Sequence, residues 1–496
     1  MTPPYPPLAK RRLITVFALT GAFMTQLDAT IANVALPHMQ ASTSASREQI
    51  AWVLTSYLIM AAIFTPLSGW LAERFGRKLV MVGSLIGFTL ASMLCGMAAN
   101  LDQLIAFRLL QGMMGAALLP ISQAILLDIN PPEKHGSAMA VWGMGAILGP
   151  IIGPLLGGWL TEHLSWRWVF YVNLPFGVLA SLGLWATLGE HRLDKPMRLD
   201  LIGFGTLAIA IGALQLMLDR GQMLDWFEST EIWIEATVAG LFFYWFVVHT
   251  LTARAPFIRP ALFRDSNYLV GNLIGFVLAG MMYGMIALVS PMMAELMGYP
   301  IELVGLVTAP RGVGTMIAML VCGQLINRVD GRLLIAGGMA LSGLAFYLLS
   351  GASLAMDSEL VIVTGFLQGA GSGMMFVPVT TMIFTTLDPR YRNEGAALNT
   401  LIRYLGASTW ISILQVLVIR NAETVRMRLS EGVRPDNPAV ALVLPDVDFS
   451  LPETVARLQP EIFRQALMVS YIDTFWVLCI ASLSIAPLVL LLRRSR

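Results

Sequence analysis

Asp28 is an acid in a stretch of chain built for hydrocarbon. It lies in the second half of the apolar run from Leu13 to Pro37, within Leu27-Asp28-Ala29-Thr30-Ile31-Ala32-Asn33-Val34-Ala35-Leu36-Pro37. A carboxylate at membrane depth costs about 2.5–3.5 kcal/mol on insertion scales, so such a residue signals function. Its stem is short, and about 13 Å of helix rise separates it from Pro37, which disfavours snorkelling to the surface. The chemistry open to it is the binding and release of a proton. Arg108 falls in the same outer half of a run of opposite direction and is followed by Gln111, Gly112 and Gly115. A carboxylate between a cation and an apolar wall feels opposing pulls on its proton, and exchanges it when those surroundings change. A static ion pair fixing helix packing is the simpler alternative.

Other polar groups fall inside apolar runs: Glu295, Arg311, Asn399, Arg403 and Asp473. Structural pairing is the first expectation for each, and Glu295 and Asp473 are the acids open to Arg311. Asn33, Gln111, Gln368, Asn399 and Arg403 are the candidates for a substrate cavity. His38, His135, His163, His191 and His249 fall at expected loops or helix ends, and no His-x-x-Glu-His, Gly-x-Ser-x-Gly or Walker pattern stands in a suitable context. That argues against an enzyme and against an ATP-driven pump, and no metal site is expected. Cys95, Cys322 and Cys479 lie in apolar runs and read as small core residues rather than a disulfide or metal framework.

The elements that must position these residues are membrane helices. The chain has 496 residues, 56% hydrophobic and 13% charged, against about 25% charged in a soluble protein. A net charge of +1 gives no field for nucleic acid. A span needs about 20 apolar residues. On that ruler fourteen cores appear: 13–36, 50–71, 79–98, 103–127, 137–160, 167–188, 200–218, 231–250, 268–294, 303–326, 333–351, 359–386, 396–419 and 467–492. With the start inside, the inner connections hold Arg74, Arg77 and Lys78; Lys134; Arg192, Lys195 and Arg198; Arg254, Arg259 and Arg264; Arg328 and Arg332; Arg390 and Arg392; and finally Arg493, Arg494 and Arg496. The short outer loops hold only Arg47, Arg167 and Arg220. This positive-inside bias places both termini in the cytoplasm. Lys10-Arg11-Arg12 precedes a run too long for a signal peptide, so the first helix is expected to stay uncleaved, behind a Pro-rich disordered tail of residues 1–9. The longest connection, about 420–466, mixes Arg426, Arg428 and Arg434 with Glu431, Asp436, Asp446 and Asp448 and is expected to be a solvated outer loop with short helices.

The chain repeats itself. Gly69-Trp-Leu71-Ala-Glu73-Arg74 recurs as Gly323-Gln-Leu325-Ile-Asn327-Arg328, 254 residues on, and Leu110-Gln111-Gly112 recurs as Leu367-Gln368-Gly369, 257 residues on. The near-equal offsets imply an all-α membrane fold of two six-helix bundles in parallel repeat with two helices inserted between them, an architecture of transporters. The expected units are a tail over 1–12, a first bundle over 13–190, two inserted helices with linkers over 191–264, and a second bundle over 265–496 that includes the long outer loop.

Two segments look conformational. The turn from Gly69 to Lys78 has Gly69 for close helix approach, Gly76 for a tight turn, Arg74, Arg77 and Lys78 to hold it at the inner surface, and Glu73 to pair with a base or cap a helix. It reads as a state-dependent latch or as a topology marker. The fifth helix carries Gly145, Gly149, Gly153 and Gly157 one turn apart, with Pro150 and Pro154 among them. Such a stripe admits another backbone, and the prolines remove helix hydrogen bonds and bend it, as a rocking seam or a tight static packing would require.

Together these residues resemble the major facilitator superfamily, and within it the fourteen-helix drug:proton antiporter branch and its EmrB-type multidrug exporters. The resemblance covers nearly the whole chain. It is carried by Leu27-Asp28-x-Thr30-Ile31-x-Asn33-Val34-Ala35-Leu36-Pro37, by Gly69 to Lys78 with Glu73 where Asp is usual, and by Arg108-x-x-Gln111-Gly112. Gly149-Pro150-x-x-Gly153-Pro154-x-x-Gly157-Gly158, Ser165-Trp166-Arg167-Trp168-Val169-Phe170 with Asn173 and Pro175, and Leu218-Asp219-Arg220-Gly221 with Asp225-Trp226-Phe227 extend it. The resemblance implies proton-driven export of hydrophobic and amphipathic drugs across the inner membrane by alternating access. It also implies a periplasmic adaptor and an outer-membrane channel as partners, and no cofactor beyond the proton gradient. Asp28 would carry the proton and Arg108 tune it. A proton-coupled importer of a nutrient or siderophore on the same fold is the alternative, against which the Gly-Pro stripe speaks.

Overall fold

The computed structural model describes residues 5–189, 199–433, 437 and 452–493. Among them are only helices, turns and coil. In chain order the helices are α1 (Leu8–Thr43), α2 (Arg47–Phe64), α3 (Leu67–Phe75), α4 (Arg77–Met97), α5 (Leu101–Gly115), α6 (Leu118–Ile129), α7 (His135–His163), α8 (Trp168–Tyr171) and α9 (Asn173–Thr187). Then follow α10 (Leu201–Arg220), α11 (Thr230–Thr252), α12 (Ser266–Pro291), α13 (Ile301–Leu325), α14 (Gly331–Leu349), α15 (Ser358–Thr385), α16 (Arg392–Gly432) and α17 (Pro452–Ser484). Among the described residues thirteen spans are long and apolar enough to cross a bilayer, and the bent pair of α2 and α3, taken as one span, makes a fourteenth. The chain is a multi-pass membrane protein. Its outward faces agree with that: Leu155, Leu179, Leu241, Tyr244 and Leu306 are among many large apolar side chains left exposed.

Proline breaks runs that look continuous in the sequence. The expected core 50–71 bends by 54° between Phe64 and Leu67, because Pro66 brings no N–H to continue the ladder. The core 103–127 divides into α5 and α6 around Ala116 and Ala117. Pro120 cannot donate to the Ala116 carbonyl, and the Thr65 hydroxyl lies 3.4 Å from that oxygen instead. The core 167–188 divides at Val172, because Pro175 lacks the N–H that a standard ladder would donate to the Tyr171 carbonyl four residues earlier. By contrast α1 runs through Pro37, and α7 runs unbroken through Pro150 and Pro154. A π-helical turn, Met292–Leu296, follows Pro291.

Two expectations about the termini and loops are corrected. Helix α1 already begins at Leu8, inside the expected tail, of which residues 1–4 lie outside the described residues. The expected loop 420–466 is shorter, since α16 continues to Gly432 and α17 begins at Pro452. Residues 420–432 are rich in good helix formers and charged pairs, such as Glu423 with Arg426 at 2.7 Å. The expectations for His191, Arg192, Lys195, Arg198, Arg434, Asp436, Asp446, Asp448, Arg494 and Arg496 lie outside the described residues, as does the side chain of Arg47.

Helix α1 packs on α7, α9 and α6, and α2 and α4 pack on α5; in the later part α12 packs on α16 and α15, and α13 and α14 on α15. Helix α10 touches both α2 and α16, while α11 packs on α10 at the periphery. The two parts meet where α7 lies against α13 and where α16 lies against α3 and α6. The repeat has a geometric counterpart. A Cβ at Gly112 would strike the Tyr57 carbonyl of α2, and one at Gly369 would strike the Arg311 carbonyl of α13. The glycines are 257 residues apart and their backbone partners 254.

Candidate functional site

The α1, α5 and α9 helices converge on Asp28. Its Oδ2 accepts from Arg108 Nη1 at 2.5 Å, and its Oδ1 accepts from Gln111 Nε2 at 2.7 Å and from Asn173 Nδ2 at 3.1 Å. All four side chains are completely buried. Arg108 reaches Asp28 because α1 and α5 run in opposite directions, and Gln111 follows one turn later on the same face. The guanidinium is held by more than the acid. Its Nε donates to the Val53 carbonyl at 3.0 Å and Nη1 also reaches Gln111 Oε1 at 2.9 Å, while the Tyr57 ring centre lies 4.3 Å from Cζ and that of Phe170 5.6 Å. Asn173 is aimed by the break before α9, and its Nδ2 also donates to Ser92 Oγ at 3.0 Å. Arg108 Nη2 and Asn173 Oδ1 are sealed from solvent without a hydrogen-bond partner.

This arrangement can hold a carboxylate in hydrocarbon at no net charge. Removing the Arg108 contact, or swinging Asn173 away with α9, changes what the acid feels. The unfilled capacity on Nη2 and on the Asn173 carbonyl oxygen means the network is not saturated, which suits a site that must rearrange.

The glycine stripe of α7 aims at the same place. A Cβ at Gly149 would meet Leu27 N at 2.5 Å and Gln26 C at 2.7 Å, one at Gly153 would strike Thr30 Oγ1, and one at Gly157 would meet Ile31 Cγ1 at 2.8 Å. Gly145 faces Leu19, whose Cδ2 a Cβ would approach to 3.0 Å. The stripe is therefore the bed of the α1 segment that carries Asp28, and both helices belong to the same part of the molecule. The opposite face of α7 forms the contact with α13, where Gly136 lies on Ile326 and Gly312 on Ile151.

The turn between α3 and α4 forms an ionic cluster at one end of the bundle. Gly76 adopts φ +85°, a conformation that favours glycine. Glu73 Oε2 pairs with Arg259 Nη2 at 3.2 Å, and Arg259 also pairs with Glu394 at 3.7 Å. Arg77 donates from Nε to Asn393 Oδ1 at 2.5 Å and pairs with Asp128, which Arg392 also meets at 3.0 Å. Gly69 lies so close to α16 that a Cβ would come within 2.9 Å of Glu394 Cα. Arg74 is exposed. This cluster ties α3, α4 and α6 to the start of α16.

The remaining candidates separate. Gln368 is buried and donates to the Met281 carbonyl at 3.3 Å and Ser372 Oγ at 2.9 Å; Asn399 is buried and donates to Asn272 Oδ1 at 2.9 Å; Asn33 is exposed. Gln111 belongs to the Asp28 cluster, and Arg403 lies over Trp142 and Phe376. These five do not share one set of contacts. Asp473 accepts from Asn421 Nδ2 at 2.7 Å, and Glu295 lies near Tyr471, so neither acid reaches Arg311. Asn173 is the site residue missed by charge reasoning, since a neutral amide raises no alarm in an apolar run. Pro175 two residues later marks the break that turns it onto Asp28.

The sequence model described as Major Facilitator Superfamily matches residues 18–411. The chain is 34% identical over 471 residues to the multidrug export protein EmrB of Escherichia coli (strain K12), covering 94% of this chain and 92% of that protein. It is 33% identical over 493 residues to the fatty acid resistance protein FarB of Neisseria gonorrhoeae, covering 98% and 97%. Among solved structures, the human organic anion transporter MFSD10 (TETRAN) aligns with a TM-score of 0.61 at 13% identity over 96% of this chain and 100% of that one. The proton:xylose symporter XylE bound to 6-bromo-6-deoxy-D-glucose aligns with a TM-score of 0.59 at 13% identity over 95% of each chain. At such identity these two speak for the fold alone.

Proposed function

Because the chain belongs to the major facilitator superfamily, we propose that it is a proton-coupled antiporter that exports hydrophobic and amphipathic compounds by alternating access. The observation that carries this reading is the sealed carboxylate: Asp28 bonded to Arg108, Gln111 and Asn173 with no access to water. Export is supported by the long relationship to EmrB.

In the proposed cycle, Asp28 takes a proton when its cavity faces the outside. Protonation weakens its hold on Arg108, whose guanidinium keeps its bonds to Val53 and Gln111 and stays solvated by backbone and rings. The α1 helix then slides on its glycine bed. At the other end the Glu73–Arg259–Glu394 and Asp128–Arg392 pairs open, and Asp28 releases its proton inward as cargo enters. The arginine-rich end and both termini face the cytoplasm in this reading, the protein sits in the inner membrane, and a periplasmic adaptor with an outer-membrane channel completes the route. The proton gradient supplies the energy, with no cofactor.

The test uses the full-length protein in proteoliposomes with an internal pH dye. Addition of an exported compound on the cytoplasmic face drives proton movement in the wild type and none in Asp28→Asn. Because that variant leaves Arg108 unpaired, Asp28→Glu is the second arm and retains partial coupling. Proton movement equal in wild type and Asp28→Asn, or none in the wild type during transport, overturns the reading.

A further inference from the structure

Helix α4 brings two small polar side chains to the Asp28 cluster, Ser92 and Cys95, on adjacent turns of one face. Both are completely buried. Each touches one of the two amides that bond Asp28 Oδ1. Cys95 Sγ donates to Gln111 Oε1 at 3.4 Å, and Ser92 Oγ accepts from Asn173 Nδ2 at 3.0 Å. The two amides are nevertheless held differently. Gln111 Oε1 accepts from Arg108 Nη1 as well as from Cys95. A half-turn of that amide would set its NH2 against a guanidinium and a thiol hydrogen, so its direction is locked. Asn173 Oδ1 is sealed from solvent and accepts nothing. Its amide is aimed through Ser92, whose single hydrogen goes to the Phe170 carbonyl at 2.8 Å. With that hydrogen committed, Ser92 can only accept from Asn173, which therefore turns its NH2 toward both Ser92 and Asp28.

This chain suits a carboxylate and not a carboxylic acid. The ionised Asp28 accepts from Arg108, Gln111 and Asn173 and needs no acceptor. A proton on Oδ1 makes that oxygen a donor, aimed at an amide group that also donates. A buried O–H without an acceptor is strongly disfavoured. Gln111 Oε1 already takes two donors, so the open acceptor in the cluster is Asn173 Oδ1. A half-turn about the Cβ–Cγ bond brings it round, along a torsion that is soft in asparagine. It then accepts from Asp28, and Ser92 swings its hydrogen from the Phe170 carbonyl to the same oxygen. The bonds of Arg108 and Gln111 to Asp28 survive this turn. The Asn173 NH2 and the Phe170 carbonyl lose theirs, and both stand at the break between α8 and α9.

We propose that Asn173 and Ser92 form a reversible hydrogen-bond relay that reads the proton on Asp28. The Asn173 amide donates to the carboxylate, turns to accept from the acid, and passes the change to the break before α9. Asn173 touches the proton-carrying group itself, and Ser92 is a positioning residue that acts through it. This rests on the proton-coupled reading above and names how that same site is regulated. Tyr57 of α2, Cys95 of α4 and Arg108 of α5 are the titratable groups within electrostatic reach of Asp28. Of the other helices packed on α1, α9 carries no charged residue, and Asp128 of α6 and His135, Glu162 and His163 of α7 stand at helix ends.

The test is infrared difference spectroscopy, acid minus alkaline, on full-length protein in proteoliposomes with asparagine isotope-labelled at the side-chain carbonyl. The carboxylic band lost in Asp28→Asn belongs to Asp28, and the labelled band lost in Asn173→Ala belongs to Asn173. In the wild type the Asn173 band moves to lower wavenumber with the same midpoint at which the Asp28 band appears, because its oxygen goes from no bond to two. In Asn173→Ala the Asp28 O–H has no acceptor, and its carboxylic band moves to higher wavenumber. Ser92→Ala removes two hydrogen bonds from the carboxylate arrangement and one from the protonated arrangement. Proton binding then tightens about three- to tenfold, an upward shift of the midpoint by about half to one pH unit. Ser92→Thr keeps the hydroxyl and the wild-type midpoint, whereas a Ser92 that only packs would lower the melting temperature of Ser92→Ala and leave its midpoint in place. An Asn173 band that stays fixed while Asp28 titrates, an unmoved Asp28 band in Asn173→Ala, or an unmoved midpoint in Ser92→Ala overturns the proposal. If the variants do not fold, the wild-type spectrum decides: no labelled band titrating together with a carboxylic band overturns it. A relay that follows Asp28 without proton movement during transport sinks only the coupling, and coupling with a silent Asn173 sinks only this inference.

Discussion

Gly149→Ala adds one methyl group between α7 and α1 and tests whether the glycine stripe positions the acid. The new Cβ would lie 2.5 Å from Leu27 N and 2.7 Å from Gln26 C, where ordinary contact begins at 3.4 Å. Both atoms are backbone, so no rotamer can yield, and the helices must part by about 0.9 Å. Overpacking of this kind costs about 1–3 kcal/mol. Asp28 is the residue after Leu27 and holds Gln111 at 2.7 Å. A shift of about 0.9 Å takes such a contact to the limit of a hydrogen bond, and misplacement of about 1 Å at a reacting group costs up to about a hundredfold in rate. Export by Gly149→Ala should therefore fall by about ten- to a hundredfold with a lowered melting temperature. Two neighbours calibrate the result. Gly158 has nothing within 4 Å, so Gly158→Ala is neutral or gains a few tenths of a kcal/mol from helix propensity, up to about 1. Gly145→Ala meets only the mobile end of Leu19 at 3.0 Å and falls between. The assays are thermal unfolding of the purified protein and substrate efflux from proteoliposomes. If Gly149→Ala matches Gly158→Ala in both, the bed does not position Asp28.

Three further outcomes follow from the same geometry. Asp28→Asn and Arg108→Gln each leave one buried group without its partner and destabilise by about 3–5 kcal/mol, whereas the double variant loses far less than their sum; additive losses in denaturant unfolding would show that the two do not act as a pair. Asp200, just before α10, is buried enough to raise its pKa, but the N–H groups of Gly203 and Phe257 and the His249 ring together lower it. A depressed acid contributes stability above the ordinary carboxylate range and loses it as pH falls through its folded pKa. Asp200→Ala therefore costs about 1 kcal/mol at neutral pH, and the gap to wild type closes on acidification; a gap independent of pH refutes the charge argument. Arg259→Gln leaves Glu73 and Glu394 facing each other at the ionic end. A cysteine at Ala140, which packs on Gly323 of α13, should then react with maleimide about fivefold faster, as a shift of about 1 kcal/mol implies. Unchanged labelling separates that cluster from closure of the seam.

The Asp28–Arg108 pair is legible in the sequence because hydrocarbon leaves a charge few options: it must meet its opposite within reach. The helix count was legible for a related reason, since bilayer thickness sets span length. What the pattern hides is what apolar runs do not record. Pro66, Pro120 and Pro175 sit in unbroken hydrophobic stretches, yet each interrupts or bends a helix, and the break before α9 is what turns Asn173 onto Asp28. Residues 420–432 looked like loop because they are charged, but charge at helical spacing supports a helix outside the bilayer as readily as a coil. Arg311 shows the limit most clearly. Its depth implies a partner, and Glu295 and Asp473 are the acids a sequence argument offers, yet Asp473 is held by Asn421 and among the described residues Arg311 pairs with neither. Pairing depends on rotation about the helix axis, which apolar periodicity scarcely constrains in a helix that is hydrophobic all round. A charge that finds its partner within the chain stabilises one arrangement. A charge that does not must lean on rings and backbone instead, and that difference separates Asp28, held by Arg108, Gln111 and Asn173, from Arg403, which lies over Trp142 and Phe376.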